Sequence, residues 1–208
     1  MDPIEENVFL EEHMKVTFSV MNELRKKKEL CDVVLHVGDL EIYAHKVVLA
    51  SFSPYFYAMF TSDVLESRQN SITLKSMDPN SVELLIEFAY TAQIRITEEN
   101  VQDLLPVSSI LQICPVKKAC CDFIQSQLDP SNCIGIKDFS EIYGCLDLSK
   151  AADKFIFRHF LQVSESEEFQ TLPEDRLVDL ISRDELFVKS EDEVRFESMI
   201  ISSFDSLH

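Results

Sequence analysis

The residues of this chain best able to do covalent or metal chemistry are its six cysteines and five histidines. Cys31, Cys114, Cys120, Cys121, Cys133 and Cys145 contain no Cys-x-x-Cys pair, and no histidine stands at a zinc-like spacing from them. Cys120 and Cys121 fall inside an apolar helical pattern, so the thiols read as buried and reduced, with a redox or metal role as the competing reading. His45, in YAHKVVLA, is the best-placed base. A cysteine, Ser51 or Ser53 could serve as its nucleophile, and His45 with a cysteine would make a hydrolase pair. No nucleophile elbow or HExxH motif supports this, and His45 reads as structural, bonded to backbone where a strand meets a helix. The adjacent carboxylates Glu98-Glu99 and Glu167-Glu168 diverge on a helix and do not form an acid–base dyad. Three glycines, Gly38, Gly135 and Gly144, exclude phosphate-cradling loops. No catalysis, cofactor or metal is expected.

Recognition is the other chemistry available. In AMFTSDVLESRQN the apolar run SPYFYAMF stops at Thr61, and a polar loop then carries Val64 and Leu65 before Glu66. Either these aliphatics staple the loop to the core, or they are presented to another protein.

The charge of −18 on 208 residues disfavours direct binding to nucleic acid. It is divided into −8 up to Leu128 and −10 over the shorter remainder. An acidic face serves solubility, or suits a basic partner. No run approaches a membrane span, and the acidic MDPIEENVFLEEH lacks the order of a signal peptide. A soluble protein of the cytosol or nucleus is expected.

The elements that must position these residues form two groups. HMKVTFSVMNELRKKK sets Met14, Phe18, Met21 and Leu24 on one apolar stripe of a helix. CDVVLHV and LEIYAHK, joined by Gly38-Asp39, predict a hairpin; SITLKS and QIRIT predict two more short strands. Ser53-Pro54, Asp78-Pro79 and Asp129-Pro130 each place a capping residue before a helix-initiating proline. Thr171-x-x-Glu174 and Ser190-x-x-Glu193 have the form of capping boxes. After Leu128 only helical patterns occur, in DPSNCIGIKDFSEIYGC, DLSKAADKFIFRHFLQV, PEDRLVDLISR and SEDEVRFESMIISSF. The reading is α+β: a small sheet covered by helices over 1–128, then an all-α domain of helical hairpins over 129–208.

LCDVVLHVGDLEIYAHKVVLASFSPYFYAMFTSDVLES, with CDV, AHKVVLA, SPYF and AMF at their separations, resembles the BTB (POZ) domain. NVQDLLPVSSILQI and KKACCDFIQSQLDPSNCIGI are similar to the Kelch-like subfamily. IYGCLDLSKAADKFIFRHFLQVSESEEFQTL resembles the BACK domain that follows in that subfamily. The resemblance implies a non-enzymatic, dimeric adaptor of a cullin-3 RING ubiquitin ligase, acting as homodimer or heterodimer with other BTB proteins. The competing expectation is a BTB oligomerisation scaffold, transcriptional or cytoskeletal, that does not bind cullin.

By the same resemblance, the cullin N-terminal domain would meet Met59, Phe60 and Thr61, then Val64, Leu65 and Glu66 in the family's apolar-x-Glu loop. Tyr143 and Cys145, with neighbouring Leu146, match the 3-box that extends this contact, or serve internal packing. Met14, Phe18, Met21 and Leu24 would pack on a twin subunit, and Phe9 would add a strand to its sheet; the alternative is an ordinary amphipathic helix on its own core. Asp32 and Lys46 match a charged pair near the two-fold axis. Two departures stand out. Kelch repeats are missing, and the sequence after Val194 (VRFESMIISSFDSLH, without tryptophan) leaves the family pattern, so the BACK domain is expected to be cut short.

Overall fold

The computed structural model describes residues 11–62 and 69–181. The chain divides into two compact units, Met1–Cys120 and Cys121–His208.

The first unit is built on a three-stranded sheet in the order β2-β1-β3. β1 (Val33–Val37) and β2 (Leu40–Ala44) form the expected antiparallel hairpin, with Leu35 opposite Ile42. Gly38 closes it at φ +56°, a left-handed conformation that a side chain would strain. β3 (Ser71–Thr73) joins β1 in parallel, placing Ile72 beside Leu35. Alternation decides the faces: Val33, Leu35 and Val37 are buried, while Val34 and His36 are half-buried. QIRIT does not become a strand. Ile94 and Ile96 are half-buried and Arg95 exposed, so the alternation survives, but no ladder partner lies beside it among the described residues. A strand needs a neighbour's hydrogen bonds, and periodicity alone cannot provide one.

Helices surround the sheet: α1 (Glu11–Lys26), α2 (Lys46–Phe52), α3 (Pro54–Thr61), α4 (Pro79–Thr91), α5 (Val101–Ile110) and α6 (Cys114–Ser126), whose last residues enter the second unit. Two of the three predicted proline caps form. The Ser53 hydroxyl accepts from the Phe56 N–H at 3.3 Å, and an Asp78 carboxylate oxygen accepts from the Ser81 N–H at 2.7 Å. Phe56, Leu85, Ile86 and Leu104 are wholly buried.

The described part of the second unit is helical: α7 (Cys133–Ile142), α8 (Leu146–Arg158), α9 (Phe160–Ser164), α10 (Glu167–Gln170) and α11 (Glu174–Ile181). Its core gathers Cys133, Ile134, Ile156, Phe157, Phe160, Val163, Phe169, Leu177 and Leu180. Two predicted starts are corrected. Asp129 folds its carboxylate onto the Ser131 N–H and hydroxyl in a local turn, and α7 begins only at Cys133. The Thr171 hydroxyl turns back to the Glu167 and Glu168 carbonyls, closing α10 rather than opening α11. Ser190, Glu193 and the tail after Val194 lie outside the described residues.

Candidate protein-interaction site

α3 carries the first set of candidate contacts. Phe56 faces inward and Phe60, one turn on, stacks over it at 5.8 Å with planes 9° apart. Phe60 and Met59 are both half-buried, Thr61 is exposed, and Tyr57 is the most exposed aromatic of the helix at 59%. The Lys46 ammonium lies 5.6 Å from the Phe60 ring centroid, a cation–π contact that fixes the ring from its open side. Thr61 spends its hydroxyl on the Tyr57 carbonyl at 2.7 Å, so it closes the helix. Phe60 is therefore a held ring with a free edge, and Tyr57 is a neighbouring surface aromatic that the motif comparison did not single out. Val64, Leu65 and Glu66 lie outside the described residues.

In the second unit, Tyr143 ends α7 with its ring edge-on to Phe139 at 4.9 Å. Gly144, at φ +61°, turns the chain into α8. Cys145 is buried, its N–H donating to the Ser140 carbonyl at 2.7 Å. The apolar side chains open to solvent at this turn are Ile142 and Leu146, at 74% and 72%. Ile142 had a signal in the sequence: an isoleucine beside the Tyr143-Gly144 turn, off the stripe of Ile134 and Ser140.

The third candidate surface is α1. From Glu12 to Val20 every residue is exposed except half-buried Thr17. That stretch includes Met14, Phe18 and two residues outside the predicted stripe, Val16 and Val20. Apolar groups therefore point to more than one side of a bare helix, the pattern of a helix meant to be covered. Only the last turns are held. Met21 and Leu24 are half-buried, and Asn22 and Arg25 are buried. Their partner is Glu87 on α4: Asn22 Nδ2 donates to Oε1 at 2.9 Å, Lys26 Nζ lies 3.2 Å from the same oxygen, and Arg25 pairs with Oε2. Arg25 Nε also donates to Asn22 Oδ1 at 2.9 Å, and its guanidinium lies 5.0 Å from the Tyr90 ring centroid. Burial pushes the Glu87 carboxyl up, but the Asn22, Lys26 and Arg25 donors outweigh it and hold it below its usual value. Phe9 lies outside the described residues. The Asp32 carboxylate accepts from the Lys46 backbone N–H at 2.7 Å, so it caps α2. Val47, beside it, is 70% exposed.

The catalytic reading has a real geometric basis: Cys31 Sγ and His45 Nε2 are 3.9 Å apart. The chemistry is wrong for it. Nε2 also meets the Glu29 carbonyl at 3.4 Å, and a carbonyl only accepts, which puts the ring proton on Nε2. Nδ1 is occupied by the Tyr90 hydroxyl at 2.9 Å, which also accepts the His45 N–H. Burial raises the Cys31 thiol more than Arg25 lowers it, so the thiolate is disfavoured. Burial likewise pushes Tyr90 up to about 12, keeping its hydroxyl protonated.

A family model described as "BTB/POZ domain" matches residues 21–128, and one described as "BTB And C-terminal Kelch" (BACK) matches 133–200. This chain is a Kelch-like BTB-BACK protein. It is 51% identical to human Kelch-like protein 17 over 182 residues, 88% of this chain and 28% of that relative. The chain thus spans little more than a quarter of that curated relative's length. Among solved structures, the BTB domain of zebrafish PATZ1 aligns with a TM-score of 0.53 at 27% identity, covering 59% of this chain and 99% of the other. The α+β architecture, a small sheet under helices followed by a BACK region that is helical over its described residues, agrees with these matches.

Proposed function

We propose that this chain is a non-enzymatic, dimeric adaptor that binds the N-terminal domain of cullin-3 within a RING ubiquitin ligase. The observation that carries the cullin contact is the ordered aromatic end of α3. Phe60 is stacked on buried Phe56 beneath Lys46, next to exposed Tyr57, immediately before Val64-Leu65-Glu66 in the chain. A held aromatic costs little ordering entropy on binding, which is how a small set of residues comes to dominate an interface. In the BACK region, exposed Ile142 and Leu146 are the apolar contacts on offer, with Tyr143 and buried Cys145 supporting the turn that displays them. The protonated Nε2 of His45 and the disfavoured Cys31 thiolate support the non-enzymatic part. Ubiquitin chemistry would take place on other subunits, with this chain holding parts in position.

Titration calorimetry against the cullin-3 N-terminal domain, with light scattering on the same sample, tests this reading. The expected result is one cullin per subunit of a dimer, weakened more than about tenfold by Val64→Asp with Glu66→Ala while the dimer persists. A dimer that gives no heat of binding selects the second reading, an oligomerisation scaffold without cullin. The uncovered α1 supports that reading equally well.

A further inference from the structure

α1 is anchored at one end and bare at the other. Its apolar side chains at residues 14, 16, 18 and 20 contribute little to holding it on its own subunit, because all four are exposed. What fixes it specifically is polar, beside half-buried Met21 and Leu24. Three donors from the last turns, Asn22, Arg25 and Lys26, converge on one carboxylate of α4, Glu87. Arg25 is used twice more, through Nε to Asn22 Oδ1 and through its guanidinium face on Tyr90, one turn beyond Glu87. An apolar seam would let the helix slide or roll at small cost. Hydrogen bonds converging on one carboxylate, with a planar cation stacked on a ring, permit one rotation and one register.

We infer that the Asn22–Arg25–Glu87 clamp is the positioning device for self-association, setting the direction in which the bare half of α1 leaves its own subunit. The inference rests on the dimer reading proposed above. Buried ionic contacts add little net stability compared with apolar packing of the same volume, and fixing orientation is their best-attested use. The clamp fits that use in part-buried form: Arg25 and Asn22 are buried, Glu87 keeps 35% of its side chain exposed, and it stands 62 and 65 positions away in the chain. Glu87, Asn22 and Arg25 are thus positioning residues, not contacts of the second copy.

The test is a charge exchange read by two methods. Sedimentation across a dilution series gives the monomer–dimer constant, and hydrogen exchange gives protection of 11–26 and of β1 separately. For Glu87→Ala, dimer dissociation is expected to rise tenfold or more. Protection is expected to fall over 11–26 and to persist over 33–37. Arg25→Glu should do the same, and Arg25→Glu with Glu87→Arg should recover part of the affinity. Unchanged dissociation in Glu87→Ala would overturn the inference, as would equal loss of protection in β1, the mark of a purely structural residue. If Glu87→Ala does not fold, Asn22→Ala and Glu87→Gln remove single hydrogen bonds and are read the same way. A wild-type chain that stays monomeric at every concentration would overturn the dimer reading instead. Exchange over 11–26 in that monomer would still show whether the clamp fixes the helix.

Discussion

Two glutamates each tie down one helix end, and they do it with opposite chemistry. Glu87 on α4 takes its donors from side chains of α1. Glu168 on α10 takes its donors from the backbone: Oε2 accepts the Ile134 and Gly135 N–H groups, both at 3.2 Å, at the start of α7. The first contact depends on which residues α1 carries. The second is available at any helix start and depends on one residue being small, since a Cβ on Gly135 would come 2.7 Å from Glu168 Oε1. Burial and then the Glu168 carboxylate push the neighbouring Cys133 thiol up to about 11, which keeps this core cysteine inert. A side-chain clamp selects one partner and one register, whereas a backbone cap mainly stabilises.

The most severe way to break this comparison is to reverse the charge of the clamp. Glu87→Lys sets a third cation against Arg25 and Lys26 and, with Glu87 a third exposed, is expected to cost about 2 kcal/mol in chemical denaturation of the first unit. Unchanged exchange protection over 11–26 in this variant would show that the clamp does not hold the helix. Glu168→Ala frees two backbone donors at the start of α7 and should cost about 1–2 kcal/mol in the second unit, without altering self-association.

Gly135→Ala sharpens the contrast at a finer scale. Alanine gains roughly 1 kcal/mol of helix propensity, while the displaced Glu168 carboxylate loses a similar amount of capping, so the single variant should be near neutral. In a Glu168→Ala background the same change should stabilise by about 1 kcal/mol; a cycle showing no coupling would remove Glu168 from its capping role.

The smallest effect is one of pH. The Glu87 carboxyl titrates below its ordinary 4.5, so its contribution is complete above that value and is lost as pH falls through the lower folded one. Exchange protection of 11–26 should be level from neutral pH down to about 5 and fall beneath about 4.5. Glu87→Gln should flatten that acid limb, and a limb unchanged by the substitution would assign it to another carboxylate.

What could be read from the sequence was local. Gly38-Asp39 marked the hairpin, and Ser53-Pro54 and Asp78-Pro79 marked helix starts, because the groups that bond there are within three residues of each other. The motif run from Leu30 to Ser67 resembles the BTB family and the run IYGCLDLSKAADKFIFRHFLQVSESEEFQTL the BACK domain, and both families match. QIRIT failed as a strand because alternation reports exposure, not pairing. The Asn22–Arg25–Glu87 contact has no signal in the sequence, since nothing local to α1 announces an acid more than sixty residues away. The Met14–Leu24 stripe described one side of α1, and Val16 and Val20 show that more than one side is apolar. Cys145 matched the family motif, yet it is Ile142 and Leu146 that stand open at the turn it supports.

Under the proposed dimer reading, the exposed half of α1 makes concentration a variable of state for this protein. A helix segment exposed apart from half-buried Thr17, with Met14, Val16, Phe18 and Val20 reaching water, is a poor helix on its own. In dilute solution it should fray and offer its apolar groups to other chains; at higher concentration a second copy should order it. Melting temperature should then climb with each decade of protein concentration, and a subunit made in excess of its partners would be the form most open to proteolysis.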